Sequence, residues 1–246
     1  MIKIILGIFC FALISCSSSQ RTNFSGTSLF SYKDPSGEYL LKRDVLDKPS
    51  KIQVRQQLLT PVRSSRKPLE KSITISQIGS IKSKKGNRLS VRPYISQFSI
   101  WFEKKKYFSQ FKLNKQDKTL DLIMKSPEAK WNKTISEKFP PGTVFCWFSQ
   151  IPECVRRAGF LSRQKYSANE FVVVWDSYPY YTEQYQNVPS NIFSPAVIKY
   201  DGSKGGNLKF NVEVNQQLLI YHFSSSYEFE KMFWISQGIT IIKSRG

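Results

Sequence analysis

Histidine is nearly missing from this chain. Of 246 residues one is His and four are Cys. Metal sites built from several histidines are therefore excluded, and Ser-His or Cys-His catalysis would depend on His222 alone. Acidic residues are scarce as well, 18 against 37 Lys and Arg, which leaves a formal net charge of +19. The apolar stretch at residues 4–14 is too short for a membrane-spanning helix, which needs about 20 residues. The patterns GxSxG, HExxH, Walker A and GxGxxG do not occur, so no catalytic residue, metal site or cofactor is assigned. What the chain does have is 40% hydrophobic and 14% aromatic residues. That is enough apolar surface to build a core, and it excludes a wholly disordered chain. The length fits one domain or two small ones.

The N-terminus is the most informative segment. Lys3 supplies a short positive region, residues 4–14 an apolar one, and the run closes with Leu13-Ile14-Ser15-Cys16. This order is that of a secretory signal, and its end resembles the lipobox of bacterial lipoproteins. The resemblance implies that residues 1–15 are removed and that Cys16 becomes an acylated (palmitate-bearing) first residue. One acyl chain holds a protein only marginally, at about 0.8 kcal/mol per buried CH₂, whereas two or three on one Cys anchor it firmly. Ser17, where Asp would signal retention, implies the outer membrane over the inner by the same resemblance. Processing removes one Lys and no acid, so the exported body keeps a net +18. Export argues against nucleic acid as a partner. Anionic lipid, lipopolysaccharide or wall polymer, or an envelope protein, is the expected counterpart.

Residues 16–36 read as the lipidated Cys and a flexible Ser-rich tether, and 37–246 as a single β-domain. Period-two alternation dominates that body. Tyr94, Phe98, Ile100 and Phe102 share a face with Ser96. A tight turn at Lys104-Lys105 leads to Tyr107, Phe111 and Leu113, and a turn at residues 114–118 to Leu120, Leu122 and Met124. These three strands form an antiparallel meander. A further strand at 72–81 has one clearly apolar face. Residues 152–157 form the best short helix, and 176–195 a long loop or short helix. About ten strands and one or two short helices suit one large antiparallel sheet curled into a barrel or half-barrel. A β-sandwich is the alternative. A lipidated tether before such a domain resembles, in architecture alone, the half-barrel carrier lipoproteins of bacterial envelopes.

Three features point to sites. Cys146 and Cys154, exported and eight residues apart, are expected to form a disulfide. Trp175, Tyr178, Tyr180, Tyr181 and Tyr185 form either a stacking surface for a ligand or partner, or rings folded over a barrel end as core. Phe98, Ile100, Phe111, Leu122, Val212 and Ile220 are the expected interior lining. Asp176, Glu183, Glu228 and Glu230 lie among aromatics, the setting that paired-carboxylate chemistry would need. An apolar-Ser-Gln pattern recurs at Ser76, Ser96, Ser109, Ser149 and Ser236 without a fixed period, as strands sharing a small polar residue on one face would produce.

Overall fold

The computed structural model describes residues 25–63, 67–83, 86–114, 116–138, 144–157, 168–188 and 191–244. The expected signal peptide and Cys16 lie outside them. Fifteen strands are formed: β1 (Ser25–Asp34), β2 (Gly37–Lys48), β3 (Ile52–Pro61), β4 (Glu70–Ser83), β5 (Gly86–Phe102), β6 (Lys105–Asn114), β7 (Thr119–Lys125), β8 (Thr134–Lys138), β9 (Phe145–Trp147), β10 (Ala168–Val174), β11 (Phe193–Lys204), β12 (Asn207–Val214), β13 (Gln217–Phe223), β14 (Phe229–Trp234) and β15 (Ile239–Lys243). Two short helices accompany them, α1 (Ile151–Arg157) and α2 (Tyr180–Gln184).

All fifteen strands belong to one sheet, in the order β8-β7-β6-β5-β4-β3-β2-β1-β15-β14-β13-β12-β11-β10-β9. No sandwich forms. The chain makes two meanders, β1 to β8 and β10 to β15, joined where β1 pairs with β15. Every pairing is antiparallel except that of β9 with β10. Tight turns set the registers. The β5–β6 turn is Glu103-Lys104, one residue earlier than expected, and both residues take positive φ, 48° and 64°. Asn215-Gln216 joins β12 to β13 in the same way, at 45° and 67°, the geometry that matches strand twist.

Residues 25–34 correct the expected tether. They form a strand in the middle of the sheet, paired along their whole length with β2, from Ser25↔Leu46 to Asp34↔Gly37. Phe30 and Tyr32 are buried on its inner face. A Ser-rich stretch orders here because β2 pairs with all of it, β15 pairs with Phe30 to Lys33, and two aromatic rings supply the buried area. The folded domain therefore includes residues 25–36, which the expected tether covered.

The edges β8 and β9 do not pair with each other, yet apolar side chains bring the two ends of the sheet together. Phe111, Leu113, Leu120, Leu122 and Met124 of β6 and β7 pack with Phe145 and Trp147 of β9 and Val174 of β10. The sheet is thus a barrel closed by side chains, with its larger core between β1, β2 and β10–β15. Cys146 and Cys154 are bonded and fully buried in that core. On the chain-entropy account, so short a loop stabilises by about 2.6 kcal/mol. Thiol titration of the unfolded, unreduced domain should find neither cysteine free, and reduction should lower unfolding stability by about that amount. Two titratable thiols would contradict the bond.

Candidate functional site

The barrel is filled by its own chain. After β9 the backbone leaves the sheet, makes a 3₁₀ turn at Phe148–Gln150 and continues as α1. Pro152 sits in the first turn of α1, where its missing N–H leaves no bond unmade. Ile151, Cys154 and Val155 of this plug face the apolar core. Ser149, Gln150 and Glu153 face the other way, towards β2–β5.

Those strands meet the plug with polar side chains. Arg55 is fully buried. Its Nε donates to Thr74 Oγ1 at 3.1 Å, Nη1 to Gln57 Oε1 at 2.8 Å, and Nη2 to Ser72 Oγ at 3.2 Å and Ser149 Oγ at 2.6 Å. The Asp176 carboxylate lies 3.6 Å from the same Nη2. It accepts from the Ser149 backbone N–H at 3.1 Å, from Ser96 Oγ at 3.4 Å and from the Ser149 hydroxyl. Burial lowers Arg55 to about 10, opposed by Asp176, so it stays charged at neutral pH. A second pair, Arg43 with Glu153, is equally buried, and Arg43 also donates to Ser149 O at 3.2 Å. Gln150 completes the seam. Its Nε2 donates to Gln53 Oε1 at 2.6 Å, and its Oε1 accepts from Ser76 Oγ at 2.7 Å.

The face of β4 turned inward is therefore Ser72, Thr74 and Ser76, all buried, while Ile73 and Ile75 look outward half-exposed. The apolar face that alternation marks in this strand is the outer one, because the inner one must solvate the plug. Ser76, Ser96 and Ser149 of the recurring apolar-Ser-Gln pattern all serve this seam. Ser109 is buried but its hydroxyl has no partner.

Aromatic rings close one end. Trp175 is fully buried, stacked 4.5 Å from Phe148, and donates to Ser194 Oγ at 2.8 Å. Tyr180 stacks on Phe98, meets Tyr107 edge-on, and donates its hydroxyl to Phe108 O at 3.2 Å. Tyr181 and Tyr185 pack against Trp234, and Tyr178 is half-buried against the core. These residues are core over the barrel end, not an open platform. Beneath them a cavity of about 60 Å³ remains, bounded by Arg43, Ser149, Tyr181, Tyr185, Tyr221 and Trp234. It has room for a water or two, against the roughly 300–1,000 Å³ of ligand pockets.

Comparison with protein-family models, curated proteins and solved structures finds no match.

Of the expected lining, Phe98, Phe111, Leu122 and Val212 point inward and are buried, and Ile100 packs on the Phe98–Tyr107–Tyr180 cluster. Ile220 is a correction. In β13 the buried residues are Gln217, Leu219, Tyr221 and Phe223, so Ile220 and His222 lie on the outer face. His222 meets Phe233 edge-on at 5.9 Å, and its pKa is lowered by partial burial and by Lys231 and Lys209. It is remote from the seam. Of the four acids among aromatics only Asp176 is in the interior network. Glu228 and Glu230 both pair with Lys243, and the Glu183 side chain lies outside the description. Sequence reasoning missed Arg43, Gln53, Arg55, Gln150 and Glu153. The available signal was the polar run at alternate positions 53, 55 and 57, in phase with buried Leu59.

One buried carboxyl has a thermodynamic signature. Glu70, at the start of β4, is 6% exposed. Burial, with a smaller contribution from Asp34, raises it to about 7, and Tyr32, Tyr181 and Tyr185 surround it electrostatically. Between about pH 4.5 and pH 7 the folded chain holds a proton that the unfolded chain has lost, so stability falls as pH rises, by up to on the order of 3 kcal/mol. Urea unfolding across this window should show that fall, and Glu70→Gln should remove it. Comparing the two proteins cancels the opposite slope from His222. An unchanged slope in Glu70→Gln would contradict the assignment.

Proposed function

We propose that this protein is a membrane-anchored bacterial envelope lipoprotein. Its filled β-domain acts as a rigid docking module in an envelope assembly rather than as a container. The anchor reading rests on the order of charge, apolar run, Ser15 and Cys16 at the N-terminus. The docking reading rests on one observation: the barrel interior is occupied by α1 and the turn before it, and every ionised group of that seam is paired. A rigid domain presents a surface with little loss of freedom on binding. The outer face offers exposed Leu29, Leu40 and Ile242 on the adjoining strands β1, β2 and β15. Among the described residues no helix is long and apolar enough to cross a membrane, so attachment would fall to acyl chains on Cys16. The outer membrane is the favoured location, with Ser17 as its support.

The aromatic rings of Tyr178, Tyr180, Tyr181 and Tyr185 at the barrel end support a second reading, in which the domain carries an amphiphile. Mass spectrometry separates the two. Protein extracted from native membranes should begin at acylated Cys16, and its domain should carry no stoichiometric small molecule under native conditions. An unacylated N-terminus would overturn the anchor. A bound lipid released on unfolding would replace the docking module with a carrier.

A further inference from the structure

The two longest strands overrun their neighbours. Ile52, the first residue of β3, pairs with Gln77 of β4, and the last pair of β5 with β6 at this end is Ile95↔Lys112. Beyond these points β4 and β5 pair only with each other, from Gly79↔Ser90 to Ser83↔Gly86. Among the described residues no other strand joins them. The result is a two-stranded arm whose five pairs reach about 17 Å past the sheet.

The arm's end of the barrel is also where the chain enters. Ser25, the first described residue, pairs with Leu46 near the end of β2, and the next turn leads into Ile52. Ser25 is nine positions after Cys16, a leash of at most about 30 Å when fully extended. If Cys16 is held in a bilayer, this end of the domain stays near its surface.

Charge and apolar character match that setting. From Lys71 to Phe102 there is no Asp or Glu, while Lys71, Lys82, Lys84, Lys85, Arg88 and Arg92 are basic. The arm's strands also contain Ile78, Ile81, Leu89 and Val91. Beside it Arg92, Lys48 and Lys51 are exposed, and Leu46 is 48% exposed. Basic side chains interleaved with aliphatic ones suit the head-group boundary of an anionic leaflet.

We propose that the β4–β5 arm, with the adjoining β2–β3 turn, docks on anionic phospholipid head groups. It would fix which end of the domain faces the membrane that holds Cys16. The inference rests on the anchor reading for its geometry, and its test does not use the anchor.

The chain from Ser17 onward, exported behind a cleavable leader so that the disulfide forms, is sedimented with vesicles. Phosphatidylcholine alone is compared with phosphatidylcholine mixed with phosphatidylglycerol. Binding should require phosphatidylglycerol and weaken with salt. Each basic group near a charged leaflet contributes about fivefold in partition, so Lys82→Glu/Arg88→Glu/Arg92→Glu should lose at least about tenfold. Arg63→Glu/Lys104→Glu/Lys105→Glu makes the same charge change at the opposite end of the barrel, where all three residues are exposed. It should stay within about twofold of the parent. Near-ultraviolet circular dichroism confirms that both variants are folded. Equal losses in the two variants would reduce the effect to net charge and overturn the proposal. Vesicle binding that ignores phosphatidylglycerol, or a preference for a soluble polyanion over the vesicles, would overturn it too. Failure of the anchor alone would appear separately, as an unacylated N-terminus on the native protein.

Discussion

A guanidinium inside a β-barrel constrains everything around it. Arg55 has no solvent to turn to, so its donors must all be met by protein oxygens, and its charge must be balanced by a carboxylate that is itself satisfied. Thr74, Ser72, Gln57, Ser149 and Asp176 meet those demands. They come from four separate parts of the chain: β3, β4, the turn before α1, and the segment after β10. Ser149 is the link. It accepts from Arg55 and gives both its hydroxyl proton and its backbone N–H to Asp176. A polar seam of this kind tolerates few alternative packings, because a shifted plug would leave buried charge unpaired.

The seam explains why an open sheet behaves as a barrel. β8 and β9 share no hydrogen bonds, so backbone pairing alone does not close the ring. Closure comes from the plug, which touches β2–β5 through polar contacts, β9 through the disulfide, and the core of β10–β15 through the apolar side of α1. Trp147 next to Phe111 then zips the remaining gap. The aromatic end follows from the same geometry. Asp176 is drawn inward by Arg55, and the five residues after it are carried over the mouth with their rings turned into the core.

Much of this architecture was legible from alternation. The meander through Phe98, Phe111 and Leu122, the helix near Pro152, the single curled sheet and the Cys146–Cys154 bond are all present. Legibility failed where polar residues do the work of core. Period-two reading assigns faces by hydrophobicity, and in β4 the buried face is Ser and Thr, so the pattern marks the outer side. Arg55 and Arg43 look like ordinary surface cations in a chain with 37 of them. Only the arrival of Asp176, 121 positions away, and Glu153, 110 positions away, gives them an interior role. The same bias hid β1, whose Ser-rich composition resembles a linker while its two inward rings, Phe30 and Tyr32, belong to the core. Alternation does not place Ile220, because β13 carries apolar residues on both of its sides.

The account turns on coupling between Arg55 and Asp176, and a double-mutant cycle measures it directly. Arg55→Met and Asp176→Asn, alone and together, are unfolded in urea. Each single change leaves a buried charge uncompensated and should destabilise by about 3–5 kcal/mol. The double variant should be less destabilised than the sum of the two by about 2 kcal/mol or more. Effects that add to within about 0.5 kcal/mol would contradict a seam in which the two groups hold each other in place.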